Sequence, residues 1–131
     1  MKTKIIAVAL VAVSMLTSCA KITEQQATET CTKLLTALQA KNYDAMQDLY
    51  SAEFNEIETA DKRKEKHQAL FNATGDIQSF KLVSAKETAL DDRPVFAVNY
   101  DVQCANTLTH HDFIVATDEG NIKIISHVIK N

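Results

Sequence analysis

The sequence predicts an α+β fold in which N-terminal helices pack on a curved, four-stranded antiparallel sheet. Two observations carry this. Apolar residues recur at helical spacing as far as Gly75, and beyond it the period changes from 3.6 to 2 and keeps that value to the end of the chain. Helices first and strands after leave the strands to pair with their sequence neighbours as a meander. The 131 residues suffice for one domain, and two glycines and one proline leave little chain for long flexible loops.

Ahead of the domain, Lys2 and Lys4 precede an apolar run over residues 5–16 (IIAVALVAVSML), then the small residues Thr17 and Ser18, then Cys19. A charged start, a short apolar core and a small-residue junction describe an export signal, and the run falls short of the roughly 20 apolar residues a spanning helix needs. Leu16-Thr17-Ser18-Cys19 resembles the lipobox of bacterial lipoproteins. That resemblance implies cleavage before Cys19, diacylglycerol on its sulfur and an acyl group such as palmitate on its new amino group. It also implies that Ala20, standing where an Asp would retain the protein, permits sorting to the outer membrane, facing the periplasm. Residues 1–18 are then signal peptide, 19–24 the lipidated cysteine with a short tether, and 25–131 a single domain held close to the lipid.

The elements follow in order. Residues 22–40 place Ala27, Cys31, Leu34, Leu35 and Leu38 on one helical stripe, and Thr23 with Gln26 fits a capping box at its start. Asn42 can cap a second helix, YDAMQDLYSAEF, with Met46, Leu49, Tyr50 and Phe54 inward. Thr59 or Asp61 can cap a third, DKRKEKHQALFNA, stopping at Gly75. SFKLVSAKE is the first strand and Asp91-Asp92-Arg93-Pro94 a turn. Strict alternation in VFAVNYDVQC marks a half-buried second strand, and TLTHHDFIVAT and NIKIISHVIK form a hairpin around Asp118-Glu119-Gly120-Asn121.

This order and these lengths resemble the nuclear transport factor two-like, cystatin-like α+β superfamily over nearly the whole mature chain. The resemblance implies a cone-shaped pocket between helix and sheet, lined in the superfamily's enzymes by Asp, Tyr or His. Here Tyr100, with Tyr43 or Tyr50, is placed to reach it. It also implies dimerisation through the outer sheet face, where Ile114, Ala116, Ile125 and Ile129 form an apolar patch. The superfamily hosts enzymes, transport factors and inert accessory domains alike, so fold alone selects no function.

Among chemistry-bearing residues, Cys31 and Cys104 both lie on core faces and form an even pair in an oxidising compartment. A disulfide between them would add about 4 kcal/mol on the chain-entropy account; two buried thiols are the alternative. If Glu119-Gly120 is a two-residue loop, residues summing to 239 oppose each other. His127 then faces Asp112 with His110 diagonal, a candidate ligand or metal cluster that a one-residue slip abolishes. DKRKEKH reads as a solvated helix face. The chain carries net charge −3 and has no paired aromatics beside this run, which argues against a nucleic-acid partner. No Gly-rich phosphate loop, GxSxG, HExxH or CxxC is present, so no catalytic residue and no cofactor is expected. The functional expectation is a membrane-anchored, non-catalytic envelope lipoprotein binding a protein partner or small ligand. A small cone-fold enzyme doing acid/base chemistry and an inhibitor or immunity-type lipoprotein are the alternatives.

Overall fold

The computed structural model describes residues 22–131; the signal segment, Cys19 and residues 20 and 21 lie outside the described residues. Among the described residues the architecture is α+β, with four helices and a curved, unclosed antiparallel sheet of order β1-β2-β3-β4. The helices are α1 (Glu24–Gln39), α2 (Tyr43–Gln47), α3 (Ala52–Ile57) and α4 (Ala60–Thr74). The strands are β1 (Ile77–Leu90), β2 (Arg93–Cys104), β3 (Leu108–Asp118) and β4 (Asn121–Lys130). Among the described residues no helix is long and apolar enough to cross a membrane.

α1 begins where its capping box lies. The Thr23 hydroxyl accepts from Gln26 N–H and the Gln26 side chain accepts from Thr23 N–H. Its stripe of Ala27, Cys31, Leu34, Leu35 and Leu38 is buried, and the helix touches all four strands. Against it pack Val98, Tyr100, Val102, Phe113, Val115 and Ile124, the inner face of β2 to β4. The expected second helix is broken in two. Tyr50 leaves the helical path to bridge Ile124 in parallel, and Ser51 then caps α3 by accepting from Phe54 N–H. Thr59, not Asp61, caps α4.

Both hairpin tips are two-residue turns with positive φ throughout, Asp91-Asp92 and Glu119-Gly120. Such turns match the twist of the strands they join, and Arg93 and Pro94 therefore belong to β2. Near the second tip the register is the expected one, Asp118 opposite Asn121 and Val115 opposite Ile124. Beyond it β4 carries one extra residue. Ile125 is unpaired, Ser126 faces Ile114, His127 faces Phe113 and Val128 faces Asp112. This bulge inverts the sides of everything after it. His127 and Ile129 turn inward, and Val128 turns outward, where it is 48% exposed. The outer apolar patch is correspondingly Ile114, Ile125 and Val128, with Ala116 buried and Ile129 gone from it.

Candidate functional site

The second half of β4 and the side of α4 border an open groove of about 640 Å³, within the range of natural ligand sites. α4 contributes Lys66, Ala69, Leu70 and Ala73, which recur at i, i+3, i+4 and i+7 and so share one helix face. β4 contributes His127, Val128 and Ile129, and Asn131 follows. The two alanines keep the helix wall low. Its neighbouring face, Arg63, His67, Phe71 and Thr74, is buried in the domain.

Behind the groove lies a cluster that the pattern of the chain does not announce. His127 Nδ1 is 2.7 Å from the Tyr50 hydroxyl, and its Nε2 is 2.9 Å from His111 Nδ1. In one assignment each of these hydrogens has an acceptor. Tyr50 O–H donates to His127 Nδ1, and His127 Nε2–H donates to His111 Nδ1. The opposite assignment strands the tyrosyl hydrogen. His67 stands beside them, its ring 6.4 Å from that of His127 and stacked on Tyr43 at 6.2 Å. Neither His67 nitrogen has a protein partner.

Burial governs the charge state of all three imidazoles. It lowers His67 to about 4, helped by the Lys66 charge, and His111 to about 3, helped by His67. Burial also drives His127 well below its ordinary value, with His111 the next cause. Arg63, fully buried, lays its guanidinium 4.4 Å over the Tyr50 ring. It donates to Glu58 Oε1 (3.2 Å), Asn55 Oδ1 (2.7 Å) and the Glu58 carbonyl (2.9 Å). Lys66 donates to the other Glu58 oxygen at 2.7 Å.

The expected His110/Asp112/His127 cluster does not form, because the bulge at Ile125 sends His127 to the opposite face. His110 stays outside, 2.6 Å from Asp101. Asp112 also stays outside, between Lys130 (2.7 Å) and Asn99 (2.6 Å); Lys130 chiefly holds its carboxyl below the usual range. Among the described residues no three His, Cys, Asp or Glu side chains are grouped to hold a metal ion. Tyr100 is a satisfied core residue. Its hydroxyl meets Thr32 Oγ1 at 3.0 Å and donates to the Thr28 carbonyl at 3.2 Å, and burial raises its pKa.

Cys31 and Cys104 are buried and not bonded to each other. α1 reaches the Cys104 end of the sheet with Gln39, which donates to the carbonyl of Ile77, the partner of Cys104. Gln39 lies eight residues beyond Cys31, about 12 Å along a helix. Burial alone pushes the Cys31 thiol far up, the reverse of what a nucleophile needs.

Arg63 and His67 belong to the run read as a solvated face; Lys62, Lys64, Glu65 and Lys66 are indeed exposed, but these two are fully buried. Their signal was the i, i+4, i+8 series Arg63-His67-Phe71, the stripe through which α4 meets the domain. Compared with protein-family models and with curated proteins, the chain matches none.

Proposed function

We propose that the chain is a lipid-anchored, non-catalytic binding module of the bacterial envelope, which takes its partner into the groove between α4 and β4. One observation carries the non-catalytic part. His127 is the imidazole that borders the groove, and both its nitrogens are engaged from inside, by Tyr50 and His111. A general base needs a free nitrogen within reach of a substrate proton, and here a groove ligand meets none. Lys66 is likewise engaged by Glu58. What the groove offers is apolar surface from Ala69, Leu70, Ala73, Val128 and Ile129. The anchor rests on the Leu16-to-Cys19 motif, and an inhibitor or immunity lipoprotein is the special case in which the partner is an exported enzyme.

A photo-crosslinking residue placed singly at Ala69, Ala73 and Val83 in living cells tests the groove, Val83 being an exposed β1 position. The expected result is one adduct common to positions 69 and 73 and absent at 83. Adducts at 83 alone would overturn the reading. Incorporation of a palmitate analogue, lost in Cys19→Ala, tests the anchor.

A further inference from the structure

We propose that the occupant of the groove is an extended peptide segment of a partner protein, pairing as an added strand with the free edge of β4 and setting apolar side chains against Ala69, Leu70 and Ala73. This rests on the groove being the binding surface, and it names what that surface binds.

The β4 edge is already used this way by the chain itself. β4 is the last strand of the sheet, and its outer edge is bonded at Ile124. There the Ile124 N–H donates to the Leu49 carbonyl (2.9 Å) and the Ser51 N–H donates to the Ile124 carbonyl (3.0 Å). At Ser51 the chain turns into α3, and the added strand stops. Outward-pointing backbone groups alternate with inward-pointing ones along an antiparallel strand. Ile125 and Ser126 share one position at the bulge, so the next outward pairs belong to His127 and Ile129. Both residues line the groove, and among the described residues nothing outside the sheet bonds their backbones. A strand laid there continues a pairing that Leu49–Ser51 begins.

The opposite wall suits the side chains of such a strand. Extended peptides bind between a sheet edge and a helix by taking backbone hydrogen bonds from the edge and seating alternate side chains against the helix. Ala69 and Ala73 leave room for those side chains, and Leu70 supplies an apolar floor. Charge adds a preference. Arg63 and Lys66 share the single carboxylate of Glu58, so the Lys66 end of the groove carries surplus positive charge and favours an acidic residue on the peptide.

The test pans a displayed random heptapeptide library against the full chain as cells mature it, held in nanodiscs of phosphatidylethanolamine and phosphatidylglycerol. Amide exchange is then measured with a selected peptide bound. Selected peptides should alternate apolar residues, include an acid, and slow the His127 and Ile129 amides about ten-fold or more. Ala69→Trp, which fills the groove from an exposed helix position, should weaken binding about ten-fold or more. Ile129→Pro, which removes an outward N–H, should do the same. The inference is overturned, with the groove still a binding surface, if Ala69→Trp blocks peptides that leave both amides exchanging freely. It is equally overturned if dodecanoate binds the groove and no peptide does, or if the two amides slow with protein concentration alone, the mark of a second copy. Selected peptides that bind Ala69→Trp undiminished would remove the groove reading itself.

Discussion

His67, His111 and His127 are neutral when the chain is folded and titrate near 6.5 when it is not. Below pH 6.5 the unfolded chain therefore binds more protons than the folded one. Stability is full above that pH and is lost as pH falls towards the folded values, about 4 for His67 and about 3 for His111. Each group forfeits about 1.4 kcal/mol per pH unit in that window, so the three together forfeit about 4. The neighbouring Lys66 and Arg63 cations oppose protonation further, while Glu58 pulls the other way. Against a total of about 5–15 kcal/mol for a domain, the roughly 6 kcal/mol forfeited by pH 5 is a large share, so a clear loss of stability between pH 7.5 and pH 5.5 is the expected outcome. Urea midpoints at pH 7.5 and 5.5 measure it, and equal midpoints would contradict it. His67 is also the residue whose removal should help. A neutral imidazole with a donor and an acceptor both unpartnered costs more than the apolar ring that would replace it. His67→Phe keeps the stacking on Tyr43, and it should raise stability at pH 7.5 by about 1 kcal/mol and reduce the acid slope by about a third. Tyr50→Phe should act oppositely, costing about 1–3 kcal/mol because His127 Nδ1 loses its donor.

Among the elements, α4 depends on how it ends. Gly75 closes the helix at φ 81°, donating its N–H to the Phe71 carbonyl, and a Cβ there would lie 2.7 Å from Ala105 Cβ. The same joint is tied by Asn106 N–H to the Thr74 carbonyl and by Ala105 N–H to the Asp76 carbonyl, so the helix end is fitted to the β2–β3 turn. Gly75→Ala should cost about 1–3 kcal/mol. Ala105→Gly in the same chain should restore part of this, by removing the clash but not the positive φ; denaturant unfolding of the three variants gives the split. The stop at Gly75 was legible because only glycine takes that conformation freely. The α1 stripe was legible because five apolar residues at helical spacing admit one reading, and the 119–120 tip because a residue followed by glycine fits a two-residue turn. The break at Tyr50 and the bulge at Ile125 were not. Each is decided by a partner distant in sequence, Ile124 in one case and Ile114 in the other, and a bulge has no local residue signature. That one extra residue hid the candidate site, since it moved His127 from the company of Asp112 to that of His111 and Tyr50.

For the molecule as a whole, the start of α1 and the groove lie towards opposite ends. α1 starts beside the β3–β4 tip, where Gln26 and Glu29 share a hollow with Asn121 and Lys123. It ends at Ile77, the partner of Cys104. Its 16 residues span about 24 Å. Ile22, the first described residue, follows Cys19 by three positions, a reach of about 10 Å. In the lipidated protein the hairpin tips would therefore face the bilayer, and the groove, running from His127 to Asn131, would face away from it, open to a partner in the periplasm. The tips carry Asp91, Asp92, Asp118 and Glu119, which anionic headgroups repel. On the proposed anchoring the polypeptide would add nothing to membrane affinity, and attachment would come from acyl chains, two or more of which hold a protein stably. The domain released after residue 19 should accordingly stay in the supernatant when spun with phosphatidylglycerol vesicles, even at low salt, where electrostatic attraction would be strongest. Sedimentation that rises with the phosphatidylglycerol fraction would reverse the orientation, laying the exposed Lys62 and Lys64 of α4 on the membrane.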